Sequence, residues 1–435
     1  MAGPLNTDAV VIGAGVIGGA IAFELARGGR DVVIVDKGGA PGHGSTSSSS
    51  AIVRFNYSTV DGVATSWEAK HCWERWPSHL GGLEGPLARF HRTGMIVLDT
   101  PQIPRARAAA LLARVGVPYE EWGPDTLRAR VAGLDAGAHW PPKAIEDDAF
   151  FEDPPRDLGA LFMPDAGFID DPQLAAQNLV SAAQGRGASL VLNRSVTEVV
   201  RRGGRAAGVR LSDGTALSSP IVVNAAGPWS SRMNELAGVG ADFTVAVRPM
   251  RQEVHVVAAP PGFNAAGYGP SIADMDLGTY IRAGAGDTIL VGGTEPACDE
   301  LEWVDDPDSS NPSVTSSSFA RQVTRAARRL TTLRVPVSAR GVAGLYDVAQ
   351  DWTPIYDRTE LDGYFVAMGT SGNQFKNAPL VGRFLATIID QVLAGHDHDA
   401  EPVHYRGEHT SNVINLGAFS RKRVRNADSS GTVFG

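Results

Sequence analysis

The sequence predicts a mixed α/β (α+β) chain of two domains, one of them Rossmann-like, and three observations carry that prediction. The first is the run from Asp8 to Asp36, DAVVIGAGVIGGAIAFELARGGRDVVIVD, where strand, glycine turn, helix and strand follow without a break. The second is that this kind of patterning is left twice and regained twice along the chain. The third is length, since 435 residues exceed a single domain at ~150 residues each.

The opening run has the parts needed to hold an adenine dinucleotide. A buried strand, Ala9–Ile12, leads into the G-x-G-x-x-G turn of Gly13, Gly15 and Gly18, with Ala14, Val16 and Ile17 between them. Gly13 permits the tight turn, Gly15 lets the backbone approach a pyrophosphate, and Gly18 lets the helix pack on the sheet. That helix runs through Ala26, and its unpaired N–H groups face the phosphates. The next strand, Val32–Val35, is closed by Asp36, followed by Lys37. Asp36 is expected to accept hydrogen bonds from both ribose hydroxyls, which disfavours a 2′-phosphate.

Composition narrows the function classes. Hydrophobic residues make up 43% and charged residues 20%, and no apolar run approaches the ~18–20 residues that span a bilayer. No basic segment precedes Ala9, so the apolar start reads as a strand rather than a signal sequence, and a cytoplasmic location is expected. Forty-eight acids against 39 bases give a net charge of −9, which argues against a nucleic-acid or anionic-membrane partner. The two cysteines, Cys72 and Cys298, read as free thiols. No metal site is expected.

After Asp36 the glycine- and serine-dense GGAPGHGSTSSSSAIVRFNYS reads as a cofactor loop, because it returns at once to an apolar segment bearing Arg54. Residues 63–76 are helical in composition, with Trp67, Trp73 and Trp76 expected in the core. From Phe90 the chain enters a second domain through strand-like HRTGMIVLD, helical RARAAALLARVG and a Pro- and acid-rich segment to Asp157. Regular structure then returns: a helix opened by the cap and proline of Asp171-Pro172, and a strand Ser189–Leu192. A hairpin of residues 196–201 and 206–211 turns at Gly203-Gly204, and a buried strand over residues 220–226 ends at Gly227. Residues from about 243 to 334 leave the core again through short strands at residues 253–258, 279–282 and 288–292. The arginine-rich helix FARQVTRAARRL reads as a solvated face. The chain re-enters the first domain with GVAGLYDVAQDWTPIYDR, a strand DGYFVAMG, the turn TSGNQFKNAP and the apolar helix VGRFLATIIDQVL. The tail from His404 to Gly435 lacks periodicity and is expected to lie on the surface or to meet a second copy in a homo-oligomer.

Four stretches, VVIGAGVIGGAIAFELA, GSTSSSSAIVR, VVNAAGPWS and GLYD…GTSGNQFKNAPLVG, resemble in their order and spacing the D-amino-acid oxidase (DAO) superfamily of FAD enzymes. Within it they are most similar to the branch of sarcosine oxidase, glycine oxidase and dimethylglycine dehydrogenase. The resemblance implies an FAD-binding domain of residues 1–88, 158–240 and 335–435, and a mainly antiparallel substrate domain of residues 89–157 and 241–334. It places Gly13, Ala14, Gly15, Val16, Ile17, Gly18, Asp36 and Lys37 on the adenosine and pyrophosphate. Gly44, Ser45 and Thr46 would cross the cofactor, and Val196 would meet adenine through its backbone. Ala226, Gly227 and Trp229 would pass near the pyrophosphate and flavin, with Gly344 at the flavin. Gly372, Asn373, Gln374, Phe375 and Lys376 would line its pyrimidine edge, where reduction builds negative charge that N–H donors and a cation stabilise.

The same resemblance matches Arg54 and Lys376 to two basic residues that hold a substrate carboxylate, and adds Tyr280 and Arg282 as pocket residues. An arginine fork and a lysine point charge suit that anion. The implied reaction is hydride transfer from the carbon beside a neutral amine to flavin N5, giving an imine that hydrolyses. Electrons then pass to oxygen or another acceptor. Departures are informative: Leu290 stands at an oxygen-reactive lysine position, Thr294 at a histidine, and Ala51 at a second arginine, leaving room for a bulkier substrate. Covalent flavin attachment in relatives needs a histidine where this chain has Ser48 or a cysteine where it has Gly344, so non-covalent FAD is expected. Two alternatives stand beside amine oxidation, a 2-hydroxy-acid dehydrogenase and a non-catalytic flavin-binding assembly factor. The motifs at Gly227 and Gly372 speak against a nicotinamide enzyme.

Overall fold

The computed structural model describes residues 5–265 and 267–435. Its first layer is a six-stranded sheet in the spatial order Ser189–Val191, Val32–Val35, Ala9–Ile12, Ile221–Asn224, Tyr364–Met368 and Ile355–Arg358. Five strands are parallel, and the last pairs antiparallel at the edge. The central strands are buried on both faces, as continuous apolar runs of this kind require. Ala9 and Val11 join the core under the helices, whereas Val10 and Ile12 join the core on the opposite side. Helix Val16–Arg27 packs between helices Pro172–Gln184 and Ala378–Leu393. Glycines allow both approaches: a Cβ on Gly19 would come within 3.3 Å of Leu179, and one on Gly382 within 2.4 Å of the Ala20 carbonyl oxygen.

The hairpin of strands Val196–Arg202 and Arg205–Leu211 covers the other face. Its two turn residues, Gly203 and Gly204, both have positive φ (58° and 77°), the geometry that matches strand twist. Asp171 caps its helix by accepting a 2.8 Å bond from the Leu174 amide, with Pro172 in the first turn. Asp171→Ala is expected to cost about 1 kcal/mol in urea unfolding and to leave flavin content unchanged.

The second layer is an eight-stranded sheet in the order Gly341–Ala349, Val247–Ala258, Thr288–Gly293, Thr279–Ala283, Ser271–Asp274, Met95–Leu98, Ala160–Met163 and Glu120–Trp122. All its pairs are antiparallel except that of Ser271–Asp274 with Met95–Leu98. The fold is thus mixed α/β, a Rossmann-like domain joined to a mainly antiparallel one. Strands Ala160–Met163 and Gly341–Ala349 hydrogen-bond into this sheet, past the expected junctions at 158 and 335. Alternating burial marks a strand but not the sheet it joins.

Three details differ from expectation. Helix Ser316–Arg329 does not present all its arginines to solvent. Arg325 and Arg329 are fully buried, Arg325 forking onto Asp299 at 2.6 and 2.7 Å, and Arg329 reaching Asp274 at 2.7 Å and Asp276 at 2.8 Å. A buried guanidinium is tolerable when paired in this way. The tail packs against the rest of the chain through buried ion pairs. Arg421 is buried among Asp357, Asp399 and Asp242, and Arg423 pairs with Asp351 at 2.8 Å. Trp73 and Trp76 are buried and stacked 4.2 Å apart, while Trp67 is only partly buried. No helix among the described residues is long and apolar enough to cross a membrane.

Candidate active site

A cavity of about 600 Å³ opens at the carboxyl ends of the parallel strands, lined by Gly13, Asp36 and Ala225 just past three of them. Ligands of open α/β sheets bind at such an edge. The turn is tightly interlocked. Gly13 has φ +109°, and a Cβ there would stand 2.3 Å from the Ala225 carbonyl oxygen; a Cβ on Gly18 would stand 1.9 Å from that of Gly13. The first turn of helix Val16–Arg27 therefore abuts the strand ends, and Gly15, Val16 and Ile17 face the cavity.

Asp36 lines the cavity while its Oδ2 accepts from the Ala14 amide at 2.6 Å and its Oδ1 from the Gly38 amide at 2.7 Å. A carboxylate has about four acceptor positions, so capacity is left for hydroxyl donors. Thr46 Oγ1 accepts from the Val16 amide at 3.1 Å, and Ser45 Oγ is covered yet has no partner among the described residues. Gly44, Val196, Ala226 and Gly227 also line the wall, whereas Ala14 and Gly18 stand behind it. At the mouth, Lys37 lies 3.7 Å from the centre of the Trp229 ring and pairs with Asp308, which also accepts from Trp229 Nε1 at 3.0 Å. Asp308 belongs to the polar loop of the second domain.

The other end of the cavity gathers residues from distant parts of the sequence. Gly372 has φ +65°, and a Cβ there would meet the Tyr346 ring at 2.3 Å. Asn373, Gln374, Phe375 and Lys376 follow along the wall. Lys376 Nζ donates to the Asn373 carbonyl at 2.6 Å, and that same oxygen accepts from Tyr57 Oη at 2.7 Å. Arg54 donates through Nη1 to the Asn56 carbonyl and through Nη2 to the Val433 carbonyl, each at 2.5 Å. The Tyr57 ring is shared by Arg54 at 5.0 Å and Lys376 at 4.9 Å. Burial lowers the pKa of both cations, and Arg54 adds to the depression of Lys376.

Tyr280 lines the cavity with its hydroxyl 2.6 Å from Ser50 Oγ, and burial pushes its pKa up to about 12. Arg282 is placed differently. Its guanidinium donates to the Ala283 and Ile169 carbonyls, lies 3.9 Å from the Phe168 ring centre, and does not contribute to the lining. Ser48 and Gly344 are neighbours, a Cβ on Gly344 falling 2.7 Å from that of Ser48. Cys72 is buried elsewhere and Cys298 is exposed.

Sequence reading missed two contributions to this end. Val433 and Phe434, from the aperiodic tail, line the cavity, with Phe434 4.5 Å from the Arg54 guanidinium. Glu295, in GGTEP just past strand Thr288–Gly293, accepts from the Val433 amide at 2.9 Å. Its positive φ of 53° is unusual for a non-glycine residue and has no signal in composition.

Fold and cavity together define a dinucleotide-binding class, in which an α/β domain with a glycine turn meets an antiparallel sheet across the cavity. The family profile described as "FAD dependent oxidoreductase" (DAO) matches residues 8–388, and the chain belongs to that family. It is therefore an FAD-dependent oxidoreductase. The glycine-lined helix start and the unpartnered Ser45 hydroxyl fit a dinucleotide. Glycine oxidase of Geobacillus kaustophilus is 24% identical over 400 residues, covering 90% of this chain and 94% of that protein. The 4-methylaminobutanoate oxidase (formaldehyde-forming) of Paenarthrobacter nicotinovorans is 25% identical over 430 residues, covering 96% of this chain but 48% of that longer protein. Among solved structures, L-proline dehydrogenase from P.horikoshii superposes with a TM-score of 0.75 at 21% identity, covering 97% and 98% of the two chains.

Proposed function

We propose that the enzyme oxidises the C–N bond of an amino acid or N-alkyl amino acid whose carboxylate is received by Arg54 and Lys376. The observation that carries this reading is the convergence of these two buried cations on either side of Tyr57, inside the cavity that begins at the glycine turn. Both now donate to backbone carbonyls, which are weaker acceptors than a carboxylate. FAD, held without a covalent link, supplies the acceptor for the electron pair of the C–H bond beside the amine.

The protein's part is binding, orientation and exclusion of water. The Arg54 fork fixes the carboxylate, Tyr280, Tyr346 and Phe434 wall off that end, and Tyr57 stands behind the two cations. Loss of the C–H hydrogen with its electron pair leaves an iminium ion, the protonated imine, which water hydrolyses to a carbonyl product and the smaller amine in its ammonium form. Arg282 acts at one remove, through the carbonyls it orders and through Phe168. Leu290 lies outside the lining, and the electrons pass on to oxygen or to another carrier.

Anaerobic mixing of the yellow holoenzyme with pools of N-methyl, D- and L-amino acids tests the reading through loss of the ~450 nm flavin band. Bleaching by an amine pool is expected. Bleaching by 2-hydroxy acids alone transfers the site to alcohol oxidation, and silence toward every pool removes the catalytic reading. Air admitted afterwards separates an oxidase from a dehydrogenase by the rate of recovery.

A further inference from the structure

Val433 is held at both ends of its N–Cα–C=O unit by side chains of the substrate end. Its amide N–H donates to Glu295 Oε2 at 2.9 Å, and its carbonyl oxygen accepts from Arg54 Nη2 at 2.5 Å. An amino acid bound by its carboxylate to Arg54 carries the same two groups at the same spacing, an oxygen acceptor and an N–H donor separated by one carbon. The residue of the tail thus sits as an amino acid would sit.

Among the described residues, the Val433 amide is the partner Glu295 has. No cation comes within ion-pair distance of it among the described residues, and its Oε1 atom is covered without a hydrogen-bond partner, although the residue as a whole is partly exposed. Its backbone is in the left-handed region. A buried carboxyl oxygen without a partner is costly, and so is positive φ for a residue with a Cβ; such costs concentrate where a ligand is to be met. Thr294 beside it repeats the pattern, fully buried with an unpartnered Oγ1.

We propose that Glu295 is the acceptor for the amine N–H of the substrate, and that Val433 of the chain's own tail holds that place until an amino acid displaces it. This rests on the amino-acid reading of the Arg54 end and adds to it a second anchor and an internal competitor. Phe434 keeps the competitor in place by covering the Arg54 guanidinium. When the tail withdraws, Arg54 loses one carbonyl and gains a carboxylate, and Glu295 loses one peptide N–H and gains an amine. The exchange at Arg54 substitutes a charged partner for a neutral one and the exchange at Glu295 keeps its N–H donor, so the substrate wins where both of its groups are present.

Burial pushes Glu295 up to about 8, against the opposing effects of the Val433 amide and the Arg54 charge. Tyr280 and Tyr346 also face it, and Lys376 lies beyond Arg54; burial raises both tyrosines and lowers the lysine. The carboxyl form is fully present well below pH 8 and is lost as pH rises through it. Acceptance of an amine N–H strengthens in the same direction.

Two ligands that cannot react isolate the idea. Isobutyrate and 2-aminoisobutyrate share a carboxylate and a carbon frame, and the latter has no hydrogen on its α-carbon to give up. Their affinities for the holoenzyme are read from perturbation of the flavin spectrum. Wild type should bind the amino compound about tenfold or more tightly, with the preference growing as pH passes ~8. Glu295→Gln, which keeps a neutral acceptor oxygen but cannot ionise, should erase the pH dependence and cut the preference several-fold while leaving isobutyrate within about twofold. Phe434→Ala, or Val433→Gly should that variant lose flavin, should tighten both ligands several-fold. A preference in Glu295→Gln as large and as pH-dependent as in wild type overturns the amine anchor, and unchanged or weaker affinity in the tail variants overturns the competitor. Because no turnover is measured, these outcomes stand apart from success or failure of the bleaching experiment.

Discussion

Gly18→Ala is expected to yield a colourless protein. The added Cβ would lie 1.9 Å from the Gly13 carbonyl oxygen and 2.9 Å from its carbon, both backbone atoms. Gly13 has no room to yield, because its own open Cβ direction is closed by the Ala225 carbonyl at 2.3 Å. Relief requires the start of helix Val16–Arg27 to lift off the turn, and the N–H groups at that start leave the places where a pyrophosphate would meet them. The ratio of flavin to protein absorbance measures the loss, expected to be nearly complete at micromolar FAD. Full flavin content with an unchanged Tm would contradict the proposed close contact.

Arg54→Met is expected to lower kcat/KM for carboxylate substrates by about 10²–10³, the order of losing a buried charge-assisted pair. Methionine keeps the apolar stem against Tyr57 and Phe434, so flavin content should hold. Lys376 alone does not compensate. Its Nζ offers a point charge in place of a bidentate fork, and burial disfavours its charged form. The matching decarboxylated amine separates recognition from chemistry, since its slower oxidation should be unaffected by the substitution. Equal losses for both substrates would place Arg54 in structure rather than recognition.

The parts of this site legible in the sequence are those whose geometry is local. Gly13, Gly15, Gly18 and Asp36 fall within a single strand-turn-helix-strand unit, so residue type and spacing carry the whole argument. Arg54 and Lys376 were reached through resemblance, because nothing in composition says that two cations so far apart share one tyrosine ring. The buried arginines of helix Ser316–Arg329 were misread for a related reason. Their partners, Asp274, Asp276 and Asp299, lie on other segments, and an acidic protein gives every arginine a plausible solvated role. The tail showed no period because its two paired strands, His404–Arg406 and Val413–Asn415, are only three residues each, and beyond them it is held by individual ion pairs of Arg421 and Arg423. Glu295 was invisible as one acid among many until its missing partner and its backbone angle were seen together.

The lining begins at Ile12 and ends at Phe434, with Ala225 and Gly372 between, and this bears on how the enzyme is made. The strand that starts the chain's nucleotide turn pairs on one side with a strand more than two hundred residues later, Ile221–Asn224. The glycine turn leaves the ribosome long before Val433 and Phe434, which cover Arg54. Until those residues have emerged the nascent chain holds the turn but not the whole lining, so the cavity is completed by contacts distant in sequence, which form late in folding.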